Sequence, residues 1–344
     1  MRIALYHNLP AGGAKRVVLE TVRRLARRHH VELFCPTTAT KTFCDVSPYV
    51  TDSHVFPLQL GRPFRSPLGR LNPAVWLMDL WRLEVLGRQI ATTIDHGGYD
   101  VVLAHPCMAT QAPSILPYLQ TPSVYYAHEA LRTLYEPVIP RPYYHASIAR
   151  RVFDRLDPLR RTHKRMVGHI DRRNVHAARL VLVNSSFTRQ TMHQLYGVNA
   201  RVNRPGVDAD AFPHLGLSRE PLLLSVGALK PEKGFDFLIA SLATVPQRSR
   251  PSLVIVSNFE IPGERAYLEQ LARQMNVPVS FQVGISHEDL VQLYNRVSLT
   301  AYTPIREPLG LVPLESQACQ TPVIGVAEGG VQETILHEVT GLLI

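Results

Sequence analysis

Short apolar runs alternate with amphipathic stretches along most of the chain. RIALY has the length of a strand, and AKRVVLETVRRLARR then places Val17, Val18, Leu19, Val22, Leu25 and Ala26 on one broad face with arginines opposite. VELFCP is the next apolar run. Short apolar runs predict strands and a 3.6-residue period predicts a helix, so the three together predict a βαβ unit. Further strands are predicted at VVLAH (101–105), SVYYAH (123–128) and VLVN (181–184), with a helix over SFTRQTMHQLY. Proline-rich, irregular stretches at 47–73 and 134–144 predict long loops.

Beyond ARVNRPGVDADAF the alternation becomes cleaner. LLLSVG, LVIVSN, VSFQVG, SLTAYT and PVIGVA are strand-like, separated by helical patterns in FDFLIASLAT, RAYLEQLARQM and HEDLVQLYNRV. Strands apolar throughout are buried on both faces, as in a parallel sheet. The expected fold is therefore α/β: two Rossmann-like, doubly wound domains, residues 1–212 and 213–344, joined near 205–220 and facing across a cleft. In such sheets ligands sit beyond the carboxyl ends of the strands.

Composition narrows the class. With 344 residues, 45% hydrophobic and 19% charged, the chain suits two globular domains. No apolar run approaches the roughly 18 residues of a membrane span. The four-residue apolar run in MRIALYHNLP is too short for a secretory signal, so a cytoplasmic location is expected. Cys35, Cys44, Cys107 and Cys319 form no CxxC pair and there is no HExxH, so free thiols and no metal site are expected. The net charge of +9 is uneven: residues 1–210 hold 28 Lys/Arg against 15 Asp/Glu, and the remainder 9 against 13. The first half would thus attract phosphates or an anionic membrane surface.

The sharpest chemical signal is REPLGLVPLE, residues 306–315. Pro308 disfavours helix at Glu307, which places that glutamate in the loop leaving SLTAYT. Pro313 suits the first turn of a helix through PLESQAC and sets Glu315 about at its third position. The N–H groups from Leu309 to Leu314, with Pro308 and Leu311 in the same bend, then form an anion site at a helix entry, and Gly310 allows close approach. The glutamates repel phosphate but accept hydroxyl hydrogen bonds. A diphosphate with a hydroxylated ring at each end, as in a nucleotide sugar, satisfies the pattern. Taken singly, Glu315 reads equally as a helix-start acid and Glu307 as a surface acid.

REPLGLVPLESQACQTPVIGVAEGGVQETI resembles the E-x7-E segment of the retaining GT-B glycosyltransferases of the large family 4 type, and the resemblance extends over nearly the whole chain. VGALKPEKGFDFLI is similar to that family's phosphate-binding turn, NRPGVDADAF to its interdomain entry, NSSFTR to its strand-end serine segment, and LPAGGAKRVVLE to its N-terminal glycine loop. The resemblance implies that Glu307 contacts the transferred sugar and that Glu315 accepts from the ribose hydroxyls. It implies that Lys233 neutralises the diphosphate, that Gly12 and Gly13 approach the phosphates, and that His128 faces the donor sugar. The main chain at Gly284 and Ile285 would meet the base. By themselves Lys233 reads as a surface lysine, Gly12–Gly13 as a turn and His128 as a structural histidine.

Four features depart from the family pattern. Ala228 stands where an arginine is usual, so Arg16 or Lys230 is expected to supply the charge. EPLG replaces EGFG, and Gln320 replaces a glycine. The chain stops at TGLLI, where relatives continue into helices that cross back to the first domain, so a truncated chain or a different closure is expected.

The implied reaction is same-face transfer from a nucleoside-diphosphate sugar to an acceptor hydroxyl with retention, with no metal or other cofactor required. The alternatives are a nucleotide-sugar hydrolase, epimerase or phosphorylase of the same fold, or a basic binding protein. Arg141–Arg173 holds ten basic residues against three aspartates. With Tyr143, Tyr144 and Phe153 it points to a lipid-linked or anionic acceptor and to peripheral contact with an anionic membrane; a solvated helical face is the plainer reading. No nucleic-acid motif is present, and no nucleic-acid partner is expected.

Overall fold

The computed structural model describes residues 1–39, 43–64, 68–144 and 156–344. Its contacts divide into two units: the first is built mainly from residues up to Arg204, and the second from Pro205–Ile344 together with 138–144 and Ser185–Phe187. The second unit therefore begins before residue 213. Phe212 is buried among Leu224, Val254 and Tyr294, which ties the entry segment to the domain that follows it.

In the first unit, seven strands form one sheet: β1 (Arg2–Asn8), β2 (His30–Pro36), β3 (Asp52–Phe56), β4 (Val101–Cys107), β5 (Ser123–Ala127), β6 (Leu180–Val183) and β7 (Arg201–Val202). Their order is β3-β2-β1-β4-β5-β6-β7, and every neighbouring pair is parallel. Side chains alternate across a strand, so β1 divides between two cores. Ile3 and Leu5 pack with Val18 and Val22 of helix Gly13–Leu25, while Ala4 and Tyr6 pack with Leu83, Ile90 and Ile94 of helix Asn72–His96.

That second helix has no clean stripe in the sequence. Leu80, Leu83, Leu86, Ile90 and Ile94 face inward, but Trp76, Met78, Trp81 and Val85 are exposed, so apolar residues occur almost all round it. The region expected to loop from 47 to 73 contains β3, whose DSHVF is polar because it lies at the edge of the sheet. Over the other expected loop the only regular element among the described residues is the short turn of helix Arg132–Tyr135.

The second unit holds β8 (Glu220–Val226), β9 (Ser252–Ser257), β10 (Val279–Val283), β11 (Val297–Tyr302), β12 (Val323–Gly325) and β13 (Gly341–Leu343). Their order β10-β9-β8-β11-β12-β13 is again parallel throughout. Leu223, Leu253 and Ile255 meet helices Phe235–Ala243 and Glu264–Gln274 on one face; Leu224, Val254 and Val256 meet helix His287–Arg296 on the other. Each sheet reverses its strand order beside its first strand, between β1 and β4 and between β8 and β11. Those are the switch points where doubly wound sheets bind ligands.

Candidate active site

The loops leaving β8 and β11 bring the expected acidic and basic residues together. After β8 the chain makes a tight turn, Pro231–Lys233, in which the Lys233 N–H donates to the Lys230 carbonyl at 3.0 Å. Lys233 Nζ reaches Glu307 Oε2 at 2.7 Å, and both side chains are largely covered. Glu307 lies in the loop after β11, as its neighbouring proline requires.

The helix after that loop begins at Leu311 rather than at Pro313, so Glu315 is its fifth residue, a full turn inside. Gly310 caps the helix at φ +90, and a Cβ there would lie 2.7 Å from the Tyr302 ring. The helix start has no side-chain cap and no acid in its first turn, which leaves the N-terminal dipole available to an anion. Pro308, Leu309 and Leu311 form this entry; Leu309 is buried and anchors it. Glu315 is buried and accepts from the Tyr294 hydroxyl at 2.9 Å.

Tyr302, at the end of β11, links the two glutamates. Burial raises its phenol well above the ordinary value, and the charges of Glu307 and Glu315, with a hydrogen bond to Glu307, push it the same way. A second loop supports the first from behind: the Gly330 N–H donates to the Glu307 carbonyl at 2.7 Å, and Glu328 accepts from the Arg306 N–H at 3.1 Å. A Cβ on Gly330 would fall 2.1 Å from the Pro308 carbonyl oxygen, so only glycine permits this approach. The Ser185 hydroxyl also donates to the Pro308 carbonyl.

Gly284 and Ile285 follow β10, with Gly284 open to solvent and Ile285 half-buried against the core. Lys230 lies over the Phe259 ring at 5.0 Å. Glu307, Glu315 and Lys233 are thus assembled in one unit, at the ends of β8 and β11 and on the helix that follows.

In the first unit, Gly12 precedes helix Gly13–Leu25 and has open space where a Cβ would lie. Arg16 lies over Phe43 at 6.0 Å and hydrogen-bonds the Cys44 thiol. His128 follows β5, but its ring is buried: Nε2 lies 3.1 Å from His105 Nδ1, and the Asn184 side chain donates to its carbonyl at 2.9 Å. Burial lowers His128 to about 4 and holds His105 well below its ordinary value, so both are neutral at pH 7.

His105 closes the apolar run VVLAH, a position the hydrophobic pattern marks only as strand. Lys15 also escaped the pattern. It lies on the sheet-facing side of its helix with Val18 and Val22, is buried, and has its pKa lowered by that burial. Tyr143, expected at a membrane surface, instead packs into the second unit with its hydroxyl on Glu264. Tyr144 is exposed, and Phe153 lies outside the described residues.

Among the described residues, Glu32, Asp52 and His54 come close enough to share a cation. Glu32 already accepts from Arg2, His30, His54 and Tyr99; burial alone would raise its pKa, but these bonds hold it at about 2.

The family model described as Glycosyltransferase Family 4 matches residues 11–211, and that described as Glycosyl transferases group 1 matches 208–344. The chain belongs to this glycosyltransferase family. Among curated relatives, this group 1 glycosyltransferase is 27% identical over 363 residues to the D-inositol 3-phosphate glycosyltransferase of Frankia alni, covering 97% of this chain and 82% of the relative. Sucrose-phosphate synthase from Thermosynechococcus elongatus superposes with a TM-score of 0.71 at 21% identity, over 100% of this chain and 85% of that one. HepE of Anabaena, solved with UDP and glucose, gives 0.68 at 23% identity over the same shares. The glycosyltransferase accordingly has the GT-B fold, two parallel-sheet α/β domains.

Proposed function

We propose that this glycosyltransferase transfers a sugar from a nucleoside-diphosphate sugar to an acceptor hydroxyl with retention at the anomeric carbon. The meeting of Lys233 with Glu307 at the entry of helix Leu311–Ala318 carries this reading. A cation beside an uncapped helix start suits a diphosphate, whose charge grows as the glycosidic bond breaks. Glu307 contacts the sugar, and Glu315 one turn on accepts from the ribose. The acceptor hydroxyl attacks from the face the diphosphate leaves, and its proton passes to the departing phosphate. Lys233 and the helix amides supply the charge stabilisation, so no metal is required.

HepE, solved with UDP and glucose, supports a nucleotide-sugar donor on this fold. A thermal-shift panel of UDP, GDP and their sugars, followed by NMR assignment of the product anomer, tests the proposal. We expect stabilisation by one nucleoside diphosphate and a product with the donor's configuration. No stabilisation overturns the donor assignment, and an inverted product overturns retention.

The acceptor is proposed to be lipid-linked or otherwise anionic, presented at the inner face of a membrane by peripheral contact. Helix Pro158–Ala177 exposes Arg161, Lys164 and Arg165 beside Leu159 and Met166, which is the composition of an interfacial face. Among the described residues no helix is long and apolar enough to cross a membrane. Liposome sedimentation should increase with anionic lipid content; indifference to lipid charge sinks the membrane assignment.

A further inference from the structure

Arg141 comes from the proline-rich stretch of the first half of the sequence, yet its guanidinium is buried in the second unit. Three pieces of that unit converge on it. Nε lies 3.2 and 3.1 Å from the two Glu264 oxygens, and Nη2 donates to Glu264 Oε1 at 3.1 Å; Glu264 opens helix Glu264–Gln274. Nη1 donates at 3.0 Å to Asp236, in the first turn of helix Phe235–Ala243. Nη2 also lies 3.4 Å from the Pro231 carbonyl, in the turn that carries Lys233. The Tyr267 ring lies 5.1 Å away, and the Tyr143 hydroxyl donates to Glu264.

A planar fork with fixed donors can join three acceptors at set angles, which a lysine cannot do. Burial works against the charge, but Glu264 and Asp236 outweigh it and keep the guanidinium protonated. The arrangement registers the turn against the starts of two helices. Lys233 follows Pro231 by two residues, and its Nζ must reach Glu307 across the site.

We propose that Arg141 is a positioning residue for sugar transfer: clamped by Asp236 and Glu264, it holds the Pro231 carbonyl and thereby sets the turn from which Lys233 meets the donor diphosphate. The inference rests on the role of Lys233 given above. Arg141 touches no substrate, and its charge is compensated by two acids, so it does not replace the arginine missing at Ala228.

The test compares UDP affinity by calorimetry in the full chain for Arg141→Met, Arg141→Lys, Lys233→Ala and Arg141→Met/Lys233→Ala, at a temperature where each is folded. Arg141→Met should weaken UDP binding about tenfold through displacement of Lys233, and Arg141→Lys should recover part of that loss. In the Lys233→Ala background, adding Arg141→Met should change affinity by less than about twofold, because the two act through one contact. A general structural role would instead lower thermal stability without moving UDP affinity. If Arg141→Met fails to fold, Arg141→Met/Glu264→Gln removes the stranded acid and is read in the same way. Wild-type UDP affinity in folded Arg141→Met, or additive losses with Lys233→Ala, overturns the inference alone. A wild-type protein that binds neither UDP nor GDP overturns the reading on which it rests.

Discussion

Lys233 and Glu307 stand 74 positions apart in the chain and meet at 2.7 Å. Between them lie the helices and strands that separate β8 from β11, and the contact exists because those two strands are neighbours in the sheet. Under the proposed function the cation serves the diphosphate and the anion the sugar, so the two residues should separate kinetically when each is changed.

Glu307→Gln keeps the volume of the side chain and removes its charge. Turnover should fall by about 10²- to 10³-fold, the scale of a lost electrostatic contact at a reacting centre. UDP affinity should stay the same or rise slightly, because Lys233 is released to the diphosphate. Steady-state rates with a UDP-sugar and calorimetry with UDP check the division; a weakened UDP complex with unchanged turnover contradicts it.

Glu315→Ala should act on binding. Loss of a charged acceptor for ribose hydroxyls weakens UDP by about tenfold, or about 1.4 kcal/mol. The same substitution removes the buried hydrogen bond from the Tyr294 hydroxyl to a carboxylate and costs about 1.5–3 kcal/mol of folding stability. Glu315→Gln retains an acceptor and should recover most of the stability but not the affinity, as urea melts and calorimetry would record.

Lys233→Ala should lower turnover with a UDP-sugar by about 10²-fold, and added Mg²⁺ should not restore it, because the lost charge acts at a fixed point. The wild-type rate should be unchanged by EDTA. A rate abolished by EDTA and restored by a divalent cation would replace Lys233 with a metal as the main charge stabiliser.

Gly330→Ala should be severe for so small a change. The added methyl would overlap the Pro308 carbonyl, so the loop bearing Glu307 has to shift. Overpacking of this kind costs about 1–3 kcal/mol. Thermal stability and turnover should fall together while far-ultraviolet dichroism stays native.

His105 and His128 make the first unit acid-sensitive. Burial lowers His128 to about 4, below its unfolded value of about 6.5. Between those values the unfolded chain binds more protons than the folded one, so stability is full above about pH 6.5 and is lost as pH falls toward 4. His105 and His7 are lowered as well, chiefly by burial, and act in the same direction. Urea midpoints at pH 7.5 and 5.0 should differ for the wild type, and the difference should shrink in His105→Asn. An equal difference in both proteins removes His105 from the account.

The strand-and-helix alternation and the glutamate, proline and glycine spacing of REPLGLVPLE were legible in the chain because each depends on neighbours in sequence. Period decides which face of a strand is buried, and a proline keeps the residue before it out of a helix, as Pro308 does for Glu307. Helix Asn72–His96 was not legible: with Trp76, Met78 and Trp81 apolar on its outer side, no stripe marks the face that carries Leu83 and Ile90. The edge strand β3 was hidden for the converse reason, its polar composition resembling a loop.

Chain order alone therefore determined the fold class and set Glu307, Gly310 and Glu315 around a helix start. Tertiary structure decided what those groups touch: Lys233 on Glu307, Tyr294 on Glu315, the His128 ring turned in upon His105, and Arg141 buried beneath the Pro231 turn. The physical reason is range. Backbone preference and periodicity act over a few residues, whereas a side chain's hydrogen bond to a group 74 or 90 positions away depends on which strands and helices pack side by side.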